Sequence, residues 1–165
     1  MRNHIHIRSA KPEDMPEIAR VLGANQAFFY AKKLIEDAVV ISAWFGEEPV
    51  GALCLSFTQP EERVIVDRLP DAAMLYRLHV KDERRSLGVG TELLNQAEML
   101  VRQRRRPTIA VGVDVTNDHA MRLYRRLGYA EWQFGEIDTV RETYAEDGSV
   151  RSLPDRCLIF VKQIR

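Results

Sequence analysis

Two glycines near the middle of the chain, Gly88 and Gly90, follow Arg85 in the spacing Arg-x-x-Gly-x-Gly. An apolar, strand-like run over residues 74–80 precedes them, and an amphipathic run with helical spacing follows. A helix that begins at these glycines presents unpaired N–H donors and the positive end of its dipole. Because glycine has no Cβ, an anion can approach those donors closely. The spacing therefore predicts a binding loop for a diphosphate group.

Two common phosphate-binding loops do not fit this segment. The P-loop requires Gly-x-x-x-x-Gly-Lys-Ser/Thr, and the chain contains no such string. The Rossmann fingerprint requires a third glycine three places after Gly90, where the chain has Leu93, and it opens a βαβ unit near the start of its domain. Two interpretations remain open from the loop alone: an anion-binding loop of another kind, or a strand-to-helix turn that glycine makes easy.

A second segment, residues 113–129, runs from a strand-like stretch into Asn-x-x-Ala-x-x-Leu-Tyr-x-x-x-Gly-Tyr. The positions that carry this pattern are Asn117, Ala120, Leu123, Tyr124, Gly128 and Tyr129. Together with the glycine loop, this segment closely resembles the GNAT acyltransferase superfamily, and the distance between the two segments fits one helix and one strand. The resemblance is specific over residues 75–130 and looser over the rest of the chain.

The resemblance implies that acetyl-CoA binds as co-substrate between two splayed parallel strands. The backbone of one strand would pair with the pantetheine arm, and the N–H groups of the glycine loop would surround the diphosphate. The residues that the resemblance assigns to the cofactor are Leu78, His79, Val80, Arg85, Ser86, Leu87, Gly88, Val89, Gly90, Thr91, Asn117 and Tyr124. Two alternatives stay open: Arg84 or Arg85 is a solvated loop cation, and Asn117 is a helix N-cap.

Acyl transfer to an amine requires an acid for the departing thiolate and a base for the amine proton. The resemblance assigns the acid to Tyr124, whose phenol is protonated at neutral pH. Many relatives place a glutamate where this chain has Gly112, so the base must come from elsewhere. Asp114 lies two residues on, with its side chain on the same face of the strand, and it is the candidate base.

Other sources of the base remain open. His79 and His119 carry imidazoles that titrate near neutral pH, although each is also explained as a structural or surface histidine. A water chain, or an amine that arrives already neutral, would need no base residue.

The bulk composition limits the class of protein. The 165 residues are enough for one domain, 1–165, and 45% are apolar while 29% are charged. Lys plus Arg equals Asp plus Glu at 24 each, which gives no global case for a nucleic-acid or membrane partner. The N-terminus lacks the apolar core of a signal peptide, so we expect a cytoplasmic protein. His4 and His6 lack a third ligand, and we expect no metal site.

The pattern of apolar residues predicts an α/β protein. We expect strands over 5–8, 39–45, 50–57, 74–80, 108–115, 129–134 and 157–164, and helices over about 11–23, 28–35, 89–104 and 118–127. Residues 59–70 have no clear state. The resemblance implies the GNAT fold: a mixed, twisted sheet of about seven strands with a central βαβ cofactor-binding unit and flanking helices.

The expected activity is transfer of an acetyl group from acetyl-CoA to a primary amine by direct attack. Two alternatives are an acyltransferase that uses a longer acyl-CoA and a non-catalytic GNAT-fold module that binds or senses acyl-CoA. The acceptor is expected to be a small-molecule amine or a peptide or protein amine, and a homodimer is left open.

In this fold the acceptor site is built by residues 24–36 and 132–156. Aromatic residues that either line it or belong to the core are Phe28, Phe29, Tyr30, Trp132 and Phe134. Acidic residues that favour a cationic amine are Glu136, Asp138, Glu142, Glu146 and Asp147.

Overall fold

The computed structural model describes residues 4–85 and 87–164. Its strands are β1 (His6–Ser9), β2 (Ala38–Phe45), β3 (Glu48–Ser56), β4 (Ala73–Val80), β5 (Thr108–Asp114), β6 (Ala130–Glu131), β7 (Ile137–Tyr144) and β8 (Val150–Gln163). Its α-helices are α1 (Met15–Leu22), α2 (Ala24–Lys33), α3 (Arg63–Arg68), α4 (Val89–Gln103) and α5 (Asp118–Arg126). The fold is mixed α/β, as the sequence predicts.

The strands form one eight-stranded sheet in the order β1-β2-β3-β4-β5-β8-β6, with β7 paired to β8. Within the described ranges, β4 and β5 form the only parallel pair, which follows from the crossover through α4. Their pairing covers three positions and ends at Leu75 opposite Val111. Because β4 continues to Val80 and β5 to Asp114, the two strands separate and leave a gap in the middle of the sheet.

Helices cover both faces of the sheet. The apolar stripe of α4 and the buried side of α5 pack on one face, in a core that includes Leu75, Val111 and Phe160. The other face carries α1 and α2 over β2 and β3, and α3 over the sheet beyond them. The gap between β4 and β5 is therefore bordered by different helices on its two sides.

The prediction of a strand over residues 129–134 is wrong in its length, because the strand in the structure is shorter. Strand β6 contains only Ala130 and Glu131, and the chain then turns, with the indole of Trp132 donating to the carbonyl of Gly135 at 2.8 Å. Gly135 has a φ of +76°, a conformation that side chains with a Cβ rarely adopt. The turn directs the chain into β7 instead of continuing β6.

Strand β7 has no counterpart in the prediction, and β8 begins at Val150 and not near residue 157. The apolar residues of β7 are isolated among charged and polar ones, and Ile137 is the one buried residue of the strand. They therefore lack the apolar period of two that identifies a half-buried strand. Backbone pairing between β7 and β8, from Ile137–Cys157 to Tyr144–Val150, holds this hairpin.

Strand β4 contains a bulge that the sequence does not reveal. Ala52 of β3 pairs with His79, whereas Cys54 pairs with Tyr76, so β4 has one extra residue between the two pairs. Arg77 lies in this bulge with a φ of +53°. A positive φ is strained for an arginine and is often found near functional sites.

A buried polar cluster joins α4 to the end of α5 and to β8. The carboxylate of Glu98, 11% exposed, accepts from the Lys162 ammonium at 2.9 Å and from the Tyr129 hydroxyl at 3.1 Å. Lys162 also donates to the carbonyl of Leu127 at 2.9 Å. Tyr129 in turn packs edge-on against Tyr124, with 5.5 Å between ring centroids. The cluster therefore fixes the surroundings of Tyr124.

Replacing Lys162 with methionine is expected to lower the free energy of unfolding by about 1–3 kcal/mol, because it leaves the Glu98 carboxylate buried without its cation. Urea denaturation measures the change. Adding Glu98→Gln to Lys162→Met should recover part of the loss, since a neutral amide replaces the stranded charge. The control Arg20→Gln removes an exposed cation and should leave the stability unchanged. Equal stability of Lys162→Met and this control would contradict the role of the cluster.

Candidate active site

A cavity of about 620 Å³ opens beside the gap between β4 and β5, on the face covered by α1–α3. Its wall comes from α2, the connection from β3 to α3, β4, β5, β7 and β8. Phe29, Arg77, Gly112, Thr139, Asp155 and Cys157 are among the lining residues. The size and the mixture of apolar and polar groups are typical of a small-molecule site.

The glycine loop lies at the start of α4, at the far end of β4. Gly88 is the N-cap residue and has a left-handed φ of +84°. A Cβ on Gly90 would meet only Val80 Cγ2 at 3.9 Å and Leu123 Cδ2 at 4.0 Å, both ordinary contacts. The chain's own packing does not require a glycine at position 90, and the open space fits a ligand that approaches the N–H groups closely.

The two loop arginines differ in their surroundings. Arg85 pairs with Asp82 at 3.2 Å and donates from Nε to the carbonyl of Val80 at 3.3 Å. Arg84 lies over the ring of Phe45, 4.1 Å from its centroid. Arg84 is thus explained by packing, whereas Arg85 stays next to the end of β4, where the predicted diphosphate would lie.

The other loop residues predicted to hold the cofactor surround the same helix start. Val89 is buried, Thr91 is half-buried and Leu87 is 64% exposed. Ser86 lies outside the described residues. The burial of these residues does not show which of them contacts a ligand, so their role in cofactor binding stays a prediction.

The strand residues predicted to pair with pantetheine, Leu78, His79 and Val80, are half-buried. They lie beyond the last residue of β4 that pairs with β5. Burial, and then the charge of Arg85, lower the pKa of His79 below its ordinary value. The imidazole is therefore neutral at pH 7. The backbone of this segment is available to a ligand on the side that faces β5.

Tyr124 lies on α5, next in the chain to Leu123, whose methyl group is close to Gly90. Its side chain is buried and packs edge-on against Tyr129. Burial raises the pKa of Tyr124, so the phenol stays protonated. Tyr124 also raises the pKa of Tyr30, after the larger effects of burial and other neighbours.

Asn117 is the N-cap of α5. Its side-chain oxygen accepts from the backbone N–H of Ala120 at 3.0 Å, which confirms the capping role that the sequence left open. The two N–H donors of the side chain remain available to a ligand.

Asp114 and Asp155 form a carboxyl pair at the edge of the cavity. Asp114 accepts from the backbone N–H and the hydroxyl of Thr116, at 2.8 and 2.5 Å. Its hydrogen bond with Asp155, followed by those from Thr116, lowers the pKa of Asp114 to about 2. Burial, and then the neighbouring Asp114, raise the pKa of Asp155. Of the two, Asp155 is the stronger base, and it lines the cavity directly.

Sequence reasoning missed Asp155 because its position depends on strand register. Asp155 lies on β8, two residues before Cys157. Cys157 pairs with Asp114 of β5, so the side chains of Asp114, Asp155 and Cys157 share one face of the sheet. Gly112 is exposed on that face, and a Cβ there would meet Cys157 only at 3.6 Å or more. Gly112 of β5 thus leaves open space in the cavity, and the carboxylates of Asp114 and Asp155 lie around that space.

The aromatic residues predicted to line the acceptor site divide into two groups. Phe29 lines the cavity. Trp132 belongs to the core beneath α3, and Phe134 is exposed with Arg68 over its ring at 4.1 Å. Phe28 stacks on Tyr144 at a centroid distance of 6.2 Å. Tyr30 is fully buried, so Phe29 alone of these five residues lies in the cavity wall.

The acidic residues of the late segment are largely paired. Glu136 and Asp138 both bind Arg156, at 3.1 and 2.9 Å, and Glu142 binds Lys32 at 3.1 Å. Arg156 and Lys32 thus offset part of this negative charge, which weakens the sequence-based preference for a polycationic acceptor.

Among residues 4–85 and 87–164, no group of three or more His, Cys, Asp or Glu side chains is arranged to hold a metal ion. Within the same ranges, no helix combines the length and the apolar character needed to cross a bilayer.

Comparisons with known proteins agree with this architecture. The family described as Acetyltransferase (GNAT) family matches residues 7–129, which is more than half of the chain. No curated protein matches significantly. Similar solved structures include the ribosomal-protein-S18-alanine N-acetyltransferase of Escherichia coli, with 18% identity and a TM-score of 0.68 over 98% of this chain and 94% of that one.

Two further similar structures contain coenzyme A. One is an aminoglycoside 6′-N-acetyltransferase, with 17% identity, 97% of each chain covered and a TM-score of 0.67. The other is the PaiA N-acetyltransferase of Thermoplasma acidophilum, with 15% identity, 97% and 99% covered and a TM-score of 0.68. These likenesses show the fold, and the family match shows the relationship: the chain belongs to the GNAT acetyltransferase family.

Proposed function

We propose that this protein is an acetyl-CoA-dependent N-acetyltransferase that moves the acetyl group to a primary amine by direct attack. The observation that supports it most is the gap between β4 and β5, with the glycine loop on one side of the sheet and the cavity on the other. Donor and acceptor can therefore approach one point from opposite faces.

The proposed cofactor contacts use mainly the backbone. The segment Leu78–Val80 would pair with the amides of pantetheine, and the N–H groups of Ser86–Thr91 would surround the diphosphate, with Arg85 adding positive charge. The side-chain amide of Asn117 and the phenol of Tyr124 would face the same ligand from α5. The opening at Gly90 supports this arrangement, because it leaves the helix start accessible.

The proposed reaction forms one bond and breaks one bond. The amine nitrogen attacks the thioester carbonyl carbon, the C–N bond forms, and the C–S bond breaks as the sulfur leaves with its electron pair. Tyr124 would give its phenolic proton to that sulfur, and a carboxylate would take the proton that the amine loses. The products are the N-acetyl amine and the free thiol of CoA.

We propose that Asp155 takes the amine proton and that Asp114, the base predicted from the sequence, assists it. Thr116 holds Asp114 as a carboxylate, and this negative charge contributes to the raised pKa of Asp155. A carboxylate with a higher pKa is a better base near neutral pH. In this arrangement Asp114 is a positioning residue and Asp155 contacts the substrate.

The alternatives from the sequence can be separated from this proposal. A longer acyl-CoA would use the same pantetheine and diphosphate contacts, and a sensor module would bind acyl-CoA without transferring the acyl group. Two of the similar proteins are named for a ribosomal-protein alanine and for an aminoglycoside, which supports an amine as the acceptor class. Measuring thiol release from acetyl-CoA over a panel of amines distinguishes a transferase from a sensor, because a sensor would release no thiol in response to an amine.

Substitutions at Gly90 test the cofactor site. Gly90→Ala should fold and gain about 0.5–1 kcal/mol of stability, because alanine is a better helix residue than glycine and its Cβ meets no close atom. Gly90→Val should weaken acetyl-CoA binding about tenfold or more, since a branched side chain blocks the N–H groups. Calorimetry measures the affinity, with the alanine variant as the matched control. Wild-type affinity in a folded valine variant would rule out this loop as the diphosphate site.

Tyr124→Phe should lower kcat about 100-fold or more while leaving acetyl-CoA affinity and stability nearly unchanged. The substitution keeps the aromatic ring that packs edge-on against Tyr129, so the fold should lose little stability. Tyr129→Phe is the matched control: it removes a hydroxyl that binds Glu98 and should affect stability more than kcat. An unchanged kcat in Tyr124→Phe at every pH would exclude this residue as the acid.

Asp155 should control the acidic limb of the pH profile. Because its pKa is raised, kcat/KM is expected to increase with pH through an inflection above the ordinary aspartate value of about 4. Asp155→Asn should abolish that limb, and Asp114→Asn should move it to lower pH by removing a neighbouring negative charge.

Two acceptors with different amine pKa values separate the enzyme's inflection from that of the substrate. The inflection of the enzyme stays at one pH, whereas that of the substrate moves with the amine. An acidic limb that persists in Asp155→Asn would assign the base to another group.

A further inference from the structure

Arg77 is a guanidinium built into the wall of the cavity. It lies at the bulge of β4, two residues beyond the last pairing of β4 with β5, and its side chain is half-buried. At about 3.3 Å per residue along a strand, this places it roughly 7 Å from the point where the strands separate. A charged group at this distance can contact an acceptor whose amine reaches the gap.

Neutral groups alone hold this guanidinium. It donates to the side-chain oxygen of Asn25 at 3.0 Å, to the carbonyl of Asn25 at 3.4 Å and to the backbone carbonyl of Glu142. Its central carbon lies 4.4 Å from the ring centroid of Phe29. Among residues 4–85 and 87–164, no carboxylate lies within ion-pair distance of Arg77.

Of the three other cations that line the cavity, Lys32 and Lys33 have carboxylate partners, whereas Arg141 is exposed to solvent. Lys32 pairs with Glu142 at 3.1 Å, and Lys33 pairs with Glu36 at 3.3 Å. A half-buried positive charge without such a partner is costly to maintain. An anionic group of a ligand would supply the missing charge and would find the guanidinium already desolvated.

The surroundings fix Arg77 in place. The buried hydroxyl of Tyr30 donates to its carbonyl at 2.5 Å. The oxygen of Asn25 that accepts from Arg77 also accepts from the N–H of Tyr144 at 2.8 Å. These contacts connect α2, β4 and β7 around the strained residue, and such support is typical of a preorganised binding group.

We propose that Arg77 binds a carboxylate of the acceptor, so that the acceptor class is an amine that also carries a carboxylate, such as an amino acid. The planar guanidinium can hold a carboxylate through two parallel hydrogen bonds. Asp155 lies on the cavity wall formed by β8, where it would receive the amine proton. The cavity thus has a cation for the acid group and an anion for the amine group. This inference rests on the proposed N-acetyltransferase activity.

Matched acceptors test the inference on the wild-type protein. A panel of amino acids is compared with their methyl esters, their decarboxylated amines and aminoethyl phosphate, and kcat/KM is measured by thiol release. The free carboxylates are expected to exceed their esters about tenfold or more, because a charge-assisted hydrogen bond is lost on esterification. Equal values for acid and ester, or a higher value for aminoethyl phosphate, would overturn the inference.

Variants assign the effect to Arg77. In Arg77→Gln the ratio of acid to ester should fall close to one, with acetyl-CoA affinity unchanged, and Arg77→Lys should keep an intermediate ratio. Arg20→Gln, a remote charge-matched control, should keep the wild-type ratio. A ratio that persists in Arg77→Gln would contradict the assignment. If that variant does not fold, Arg77→Lys and the wild-type panel decide.

Failure of the proposed activity gives a different result. If no amine is acetylated although acetyl-CoA binds, the proposed function is wrong. Calorimetric titration of the CoA complex with amino acids and their esters then tests whether Arg77 binds a carboxylate. Tighter binding of the acids supports the carboxylate site, and equal binding overturns it.

Discussion

The end of parallel pairing between β4 and β5 is the constraint on which the site depends. Three residue pairs hold the strands together up to Leu75 and Val111, and beyond them the two strands bond to different neighbours. Backbone groups that face the gap lack a strand partner there, which a folded interior tolerates only where a ligand or water can satisfy them. The gap is thus a consequence of strand pairing and requires no special side chains.

The bulge at Arg77 and the helices on both faces give the gap its chemistry. The bulge adds one residue to β4, which turns the Arg77 side chain toward α2, where it packs on Phe29. On the opposite face, α5 carries Tyr124, whose side chain is buried in the core. Glu98 and Tyr129 hold Tyr124 from behind. The proposed acid, Tyr124, and the proposed carboxylate-binding cation, Arg77, therefore lie on opposite faces of the sheet.

Local sequence patterns predicted well the strand and helices that carry the proposed cofactor site. The strand, the glycine loop and the Asn117–Tyr124 helix are contiguous segments whose residue spacing carries the information, and the structure places them at the helix starts as expected. The acceptor side was predicted poorly. Strand β7 has no apolar alternation, and Asp155 reaches the cavity only through the register of β8 against β5. Neither the register nor the bulge at Arg77 leaves a local signature in the sequence.

This difference has a physical origin. A diphosphate and an amide-bearing arm can be bound by backbone N–H and C=O groups, which any residue supplies, so only glycines and a helix start need to be specified. An amine acceptor must be recognised by side chains, and here these come from α2, β4, β7 and β8, which are distant in the sequence. Ion pairs within the protein also cancel charges that the sequence shows as free, as Arg156 does for Glu136 and Asp138. The proposal for the acceptor therefore rests on a charge without an ion-pair partner, that of Arg77, and not on the total number of acidic residues.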